Sequence, residues 1–462
     1  MMTLLILLKL VLFTPLLLAQ STLSSKTYFF LIDPGTNARS NYYRFYNSLR
    51  MGYEVLKKHD KNVFILAKNG HWILAKERDE TLSNYSLTGN QGKSIPLYPP
   101  IASSAYNLDD VFSFIKKQNI KDGDKVFLFI TPHGVAPSDP KDPSTVKIPF
   151  WSRNDSYGYF LEKLKKDFSS KIIFFIVTTA CYGGAVHILA TLPNVCTLST
   201  VPFDTLSSAG NYQIHTFSKA FWKSMLYSLD RPTQIPLTLG YLAQQALSKD
   251  MGNIFLGRIS SSHYVDEILS SQTSTKSTSA TWVKKLEKDI WQRESVRPEH
   301  HFFSQNSLLR KLGDDIFYPE KFSNSKICIN DNFTNIKTQI ANIENSFKTI
   351  FINPHFQSSM DYIKKASPDI LKTVSFYFQE HDKYLKKWEK YSRPKENTSK
   401  LRTLTKAWKK LNNDAKKDLI ELNYHLGMMQ YAKKIIELKQ KVSAKEWAEY
   451  QRRLECEWTS FF

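Results

Sequence analysis

The chain has 462 residues, 42% of them apolar and 13% aromatic, a composition that fits packed cores and excludes a wholly disordered polypeptide. Lys and Arg number 63 against 43 Asp and Glu, a net charge of +20. The basic residues are dispersed through patterned helices rather than gathered in blocks. They read as solvated helix faces, and a nucleic-acid partner is not expected.

The N-terminus is Met1-Met2-Thr3, followed by an apolar run from Leu4 to Leu18 broken by Lys9, Thr14 and Pro15. Ala19 then precedes a turn to polar composition. This is the pattern of a signal peptide over 1–19, cleaved after Ala19, with an uncleaved anchor as the alternative. No later stretch approaches the roughly 20 apolar residues of a membrane span. The mature protein is expected to be secreted, periplasmic or in an endomembrane lumen, with no span after signal cleavage.

The first half alternates strand and helix signals. Thr27 to Asp33 is an apolar strand closed by Pro34-Gly35. A helix runs from Tyr42 to Lys58, with Leu49, Tyr53 and Leu56 on one face, and a strand from Asn62 to Lys68. Asn107 is placed to cap a helix over Leu108 to Gln118. Greasy runs that start at Val126 and at Ile172 are two further strands, separated by a helix over Gly158 to Phe168. Val195 to Ser199 is a further strand, and helices follow near His215 to Leu229 and Leu237 to Lys249. Uninterrupted apolar strands alternating with helices indicate a mostly parallel sheet covered on both faces.

Two of these strands end on reactive side chains. The first continues Thr131-Pro132-His133-Gly134, the second Thr179-Ala180-Cys181, with Gly183-Gly184 just beyond. Ligands bind such sheets beyond the carboxyl ends of the strands. A thiol attacks a carbonyl as thiolate, and an imidazole nearby takes its proton. The oxyanion then needs backbone N–H donors, for which Gly134 and Cys181 are placed. A lone His or Cys would be ordinary packing; the pair, each closing a buried strand, is specific.

These residues resemble clan CD cysteine peptidases, the legumain, caspase and gingipain superfamily, whose strands end in His-Gly and in Ala-Cys or Ser-Cys. The separation of His133 and Cys181 is close to the roughly 50 residues of caspases. The order of parts is most similar to legumains: Tyr42-Tyr43-Arg44 with Tyr53 near the first helix, the two reactive strands, then a pocket segment from Thr197 to Ser208. Ser199-Thr200-Val201-Pro202 also resembles a caspase segment, and Thr216-Phe217 an element opening the next helix. The resemblance covers about 25–260. It implies a caspase-like, mostly parallel sheet flanked by helices, an endopeptidase with Cys181 as nucleophile and His133 as general acid/base, and a pocket lined by Arg44, Thr179, Ser199, Thr200 and Asp204. The chain departs from legumains in having Tyr42 for an Asn, Pro132 for an Asp and Thr179 for an acidic residue. Arg44 without its acidic partner suits an acidic P1 side chain, and asparaginyl specificity is not expected. A transamidase or ligase passing the acyl group to an amine is one alternative. A catalytically inactive pseudopeptidase whose helical half binds a partner is the other.

A Ser/Thr-rich linker is expected over 261–280 and an all-helical domain over 281–462, with Trp388, Trp408, Trp447 and Trp458 as packing anchors. By resemblance to legumains the helical half is either an intramolecular cap or a permanent accessory domain. Of the four cysteines, Cys328 and Cys456 are the expected disulfide, with two free buried thiols as the alternative, and Cys196 is read as packing. His187 and His215 are read as helix-surface residues. His300-His301 lacks partners at ligand spacing, so no metal is expected, and the glycines form no nucleotide-binding pattern, so no cofactor is expected. The partner expected is a protein or peptide substrate.

Overall fold

The computed structural model describes residues 25–35, 43–59, 61–67, 99–204, 206–207, 214–232, 237–250, 257–272, 361, 435–436 and 439–461. The signal peptide, Tyr42, residues 273–280 of the expected linker, His300-His301, Cys328 and most of the expected helical half lie outside the described residues.

The described elements run in the order β1 (Thr27–Asp33), α1 (Tyr43–Lys58), β2 (Asn62–Ala67), α2 (Leu108–Lys116), β3 (Lys125–Ile130), β4 (Lys147–Pro149), β5 (Asn154–Ser156), α3 (Tyr157–Asp167), β6 (Ile173–Thr178), β7 (Val195–Ser199), α4 (Thr216–Leu229), α5 (Leu239–Leu247), β8 (Arg258–Ile259), α6 (Ser260–Gln272) and α7 (Ala444–Trp458). Two short 3₁₀ helices, Pro143–Thr145 and Gly183–Thr191, are interspersed. Six strands form one sheet in the order β2-β1-β3-β6-β7-β8, parallel except for β8, and β4-β5 is a separate antiparallel ribbon. The expected sheet is thus what is observed.

The strands are apolar on both sides because both sides are covered. Successive residues of a strand point to opposite faces. Phe29, Leu31, Phe127, Phe129, Phe175, Val177, Cys196 and Leu198 form one core with α1, α4 and α5. Phe30, Ile32, Val126, Leu128, Ile130, Phe174 and Ile176 form the other with α2, α3 and the second 3₁₀ helix. At about 25 cal/mol per Å² of apolar surface buried, this two-sided burial is the main force fixing strand order. The Asn107 cap forms as expected, its side chain accepting from the Asp110 N–H at 3.0 Å.

Three features differ from expectation. The first is the disulfide. Cys456 bonds to Cys196, with Cα atoms 5.7 Å apart, and not to Cys328. Cys196 is therefore more than packing: it sits mid-strand on the face that α7 covers. The second is that Ser260–Gln272, expected as linker, is helical. Its first turn packs against α7, and that tertiary contact outweighs the loop preference of its serines. The third is the place of the C-terminus. α7 docks on α5, α6 and β7 instead of belonging only to a separate helical body. Trp458 lies against Gly240, where a Cβ would fall 2.7 Å from the indole. Phe461 stacks edge-on to Phe127 and Phe175, at 5.4 and 4.6 Å, and its N–H donates to Leu237 O. Its carbonyl accepts from Thr27 Oγ1.

Glu457 is fully buried in this joint. It accepts from Ser260 Oγ (2.8 Å), Ser261 N–H (2.5 Å) and Ser261 Oγ (2.8 Å). Burial outweighs these donors and the Arg453 charge, and raises its pKa from 4.5 to about 7. Between those values the folded state holds a proton that the unfolded chain has lost. Stability therefore falls as pH rises from about 4.5 to about 7. The melting temperature of the protein, measured against that of Glu457→Gln, is expected to decline across this window. A constant difference from pH 4.5 to 8 would refute the assignment.

Candidate active site

β3 and β6 pair in parallel with Ile130 opposite Thr178. Each strand runs three residues further to its reactive side chain, His133 on one and Cys181 on the other. The two extensions stay in register. The Thr179 N–H donates to Ile130 O at 3.1 Å, and the Thr179 and Thr131 hydroxyls meet at 3.1 Å. Both threonines are buried. Thr179, expected in the substrate pocket, is instead a rung that locks the two strand ends together.

The sheet end also brings the two backbones into contact. A Cβ on Gly134 would fall 1.7 Å from the Cys181 carbonyl oxygen, so only glycine fits. The chain then turns sharply at Tyr182, whose φ of 58° is left-handed, a conformation costing a non-glycine residue on the order of 1 kcal/mol or more. Gly184 follows, and a Cβ there would lie 2.5 Å from Phe203 N. The turn after Cys181 and the loop after β7 are therefore held against each other through main chain.

α1 supplies the wall on the histidine side. Phe45 is buried, meeting the His133 ring edge-on at 5.2 Å and stacking on His215 at 5.9 Å. The Arg44 guanidinium lies 5.3 Å from the Phe45 ring centre. His215, read from sequence as a surface residue, is buried because it caps α4 against this aromatic cluster. Burial, then the Arg44 and His133 charges, pull its pKa from 6.5 to about 3, so it stays neutral.

The Cys181 thiol is partly exposed. Burial pushes its pKa up; the Ser207 N–H, the Arg44 charge and the Gly134 and Cys181 N–H groups pull it back. The net direction is upward, so the resting sulfur is a thiol. The hydrogen bond made to the sulfur among the described residues comes from Ser207, while the Gly134 and Cys181 N–H groups stand at the same strand ends and favour its ionised form.

The remaining expected pocket residues divide. Arg44 acts on the sulfur, and Asp204 is half-buried in the turn after Pro202. Ser199 and Thr200 are fully buried. Ser199 Oγ meets His187 Nε2 at 3.0 Å, so it faces the interior rather than a substrate. His187 Nδ1 meets Thr197 Oγ1 at 2.8 Å, and its ring stacks on His263 at 4.5 Å. Burial first, then the charges of His263, Arg453 and Arg258, keep it neutral. Its expected place on a helix surface is corrected: Gly183-Gly184 disfavour an α-helix, and the 3₁₀ turn that forms instead lies in the core. Phe45 and Ser207 carried no chemical signature in the sequence, because one acts through a ring face and the other through main chain. Among the described residues no cluster of His, Cys, Asp or Glu could hold a metal ion, and no helix is long and apolar enough to cross a membrane.

No family model matches the chain, and no curated protein matches it. Among solved structures the chain is similar to caspase-1 from Spodoptera frugiperda, with 11% identity over 51% of this chain and 86% of that one, at a TM-score of 0.32. Nothing in that likeness singles out legumains. The functional reading rests on the site itself.

Proposed function

We propose that the protein is an exported cysteine endopeptidase of the clan CD type. The observation that carries this is the register of β3 and β6, which sets His133 and Cys181 each three residues past the paired Ile130 and Thr178, with the Gly134 and Cys181 main chains in contact at the strand ends. His133 takes the thiol proton as the sulfur bonds to the scissile carbonyl carbon. The two N–H groups receive the oxyanion. Collapse breaks the C–N bond, and His133 returns the proton to the leaving amine. Water, activated by the same imidazole, then hydrolyses the thioester and regenerates the thiol.

Arg44 beside the nucleophile supports a pocket for an acidic P1 side chain. The Cys196–Cys456 disulfide supports an oxidising compartment, in keeping with the signal-like N-terminus. α7 supports a permanent role for the C-terminal segment in place of a removable cap. Arg452 reaches Ala190 O and Leu192 O, ahead of the amino end of β7 and away from the strand ends that carry the site.

The test is peptide cleavage by the full chain, followed by mass spectrometry over a mixed peptide set. Cys181→Ala is expected to reduce cleavage to background, and His133→Ala to lower it by about 10²–10⁴-fold. Cleavage undiminished in Cys181→Ala would sink the proposal.

A further inference from the structure

The Cys181 sulfur has a third neighbour outside the dyad and its expected oxyanion donors. The Ser207 N–H donates to Sγ at 3.3 Å, and the Ser207 carbonyl accepts from Sγ at 3.8 Å. Ser207 Oγ lies 3.2 Å from Thr200 Oγ1, and Thr200 is fully buried just past β7. The same loop is fixed further back, where Pro202 and Phe203 close on Gly184. One residue thus offers the nucleophile both a main-chain donor and a main-chain acceptor, and it is anchored from its side chain.

We propose that Ser207 is a further catalytic residue, acting through its main chain: its carbonyl holds the S–H of the resting thiol, and its N–H holds the sulfur once the proton has left. This rests on the reading of Cys181 as the nucleophile. When the S–H proton passes to the His133 imidazole, the bond to the Ser207 carbonyl is lost. The bond from the Ser207 N–H becomes charge-assisted and roughly twice as strong. Ionisation therefore strengthens a contact already in place, with no new group to be recruited. The charged side chain acting on the sulfur is Arg44 from α1; His133 lies beyond β3, and Asp204 three residues earlier on the Ser207 loop. Arg44 favours the thiolate across space, whereas Ser207 touches the atom that reacts.

The experiment measures the rate at which iodoacetamide alkylates Cys181 in the full chain as a function of pH, followed on the Cys181-containing peptide. Ser207→Ala keeps the N–H but loses the Thr200 anchor, and is expected to shift the inflection by less than loss of the N–H does. Ser207→Pro removes the N–H. So does an amide-to-ester exchange at residue 207, made with the α-hydroxy analogue of serine, which keeps the shape of the loop. Both are expected to raise the inflection by about one pH unit and to slow alkylation at neutral pH roughly tenfold. Should the proline variant misfold, the ester decides. An ester variant with the wild-type inflection would overturn the proposal. Because alkylation needs no peptide substrate, that result alongside intact cleavage rejects the Ser207 role alone. A shifted inflection in a protein that cleaves no peptide rejects the peptidase reading alone.

Discussion

Gly134→Ala is expected to lower kcat/KM for peptide cleavage by about 10²-fold or more while the protein still folds. The added Cβ would sit 1.7 Å from the Cys181 carbonyl oxygen, whereas real contacts begin near 3.0 Å. One backbone must therefore yield by more than 1 Å. Both candidates belong to the proposed site, Gly134 as an oxyanion donor and Cys181 as the nucleophile and the other donor. A displacement of about 1 Å in a catalytic array is enough to cost 10²-fold. The sheet beneath need not move, because Thr131 and Thr179 are bonded to each other and to strand neighbours below the collision. Kinetics and a thermal melt on the same sample check both halves of the expectation. Activity within a few-fold of wild type would mean that the close approach of the two strand ends is not needed for catalysis. A collapsed melt would mean that it is needed for folding.

The placement of His133 and Cys181 just past the ends of neighbouring strands was legible because strand endings are a local signal. An apolar run stops, and the residues after it are delivered to the sheet's carboxyl edge. The same logic placed β1 and β7 to the residue and the starts of β3 and β6 to within one, and the Asn107 cap follows from side-chain chemistry at a helix start. What could not be read is what depends on distant chain. Ser260–Gln272 is poor in helix formers, and its first turn is held by Glu457, nearly two hundred residues away. His187 looked like a surface residue because an α-helix was assumed after Cys181. With the turn tightened by two glycines, the imidazole swings under β7 and meets Thr197 and Ser199. Thr179 and Ser199 are near the site in sequence but turned inward, since alternation along a strand sends every second residue away from a neighbour's face. Ser207 acts through main-chain atoms that every residue shares, so no residue type could announce it.

Breaking the Cys196–Cys456 bond is expected to destabilise the protein by about 2–5 kcal/mol, the range for a native disulfide, and to lower the melting temperature by roughly 5–15 °C. The bond closes a loop of 260 residues, and a long loop is the case in which a cross-link most restricts the unfolded chain. Cys456→Ser is the variant of choice. Cys456 is only partly buried, whereas Cys196 is fully enclosed, and serine there would bury a hydroxyl as well as remove the bond. The helix is not expected to leave the sheet, because Phe461 remains between Phe127 and Phe175 and Glu457 keeps its serine donors. Reduction of the wild-type protein should then lower its melt to that of Cys456→Ser, while reduction of the variant should change nothing further. Equal melts for oxidised and reduced wild type would show that the aromatic wedge and the buried carboxylate hold the C-terminus without help from the bond. A variant that loses the α7 contacts altogether, detected by hydrogen exchange across Ala444–Trp458, would show the reverse, that the bond is what keeps this helix in the fold.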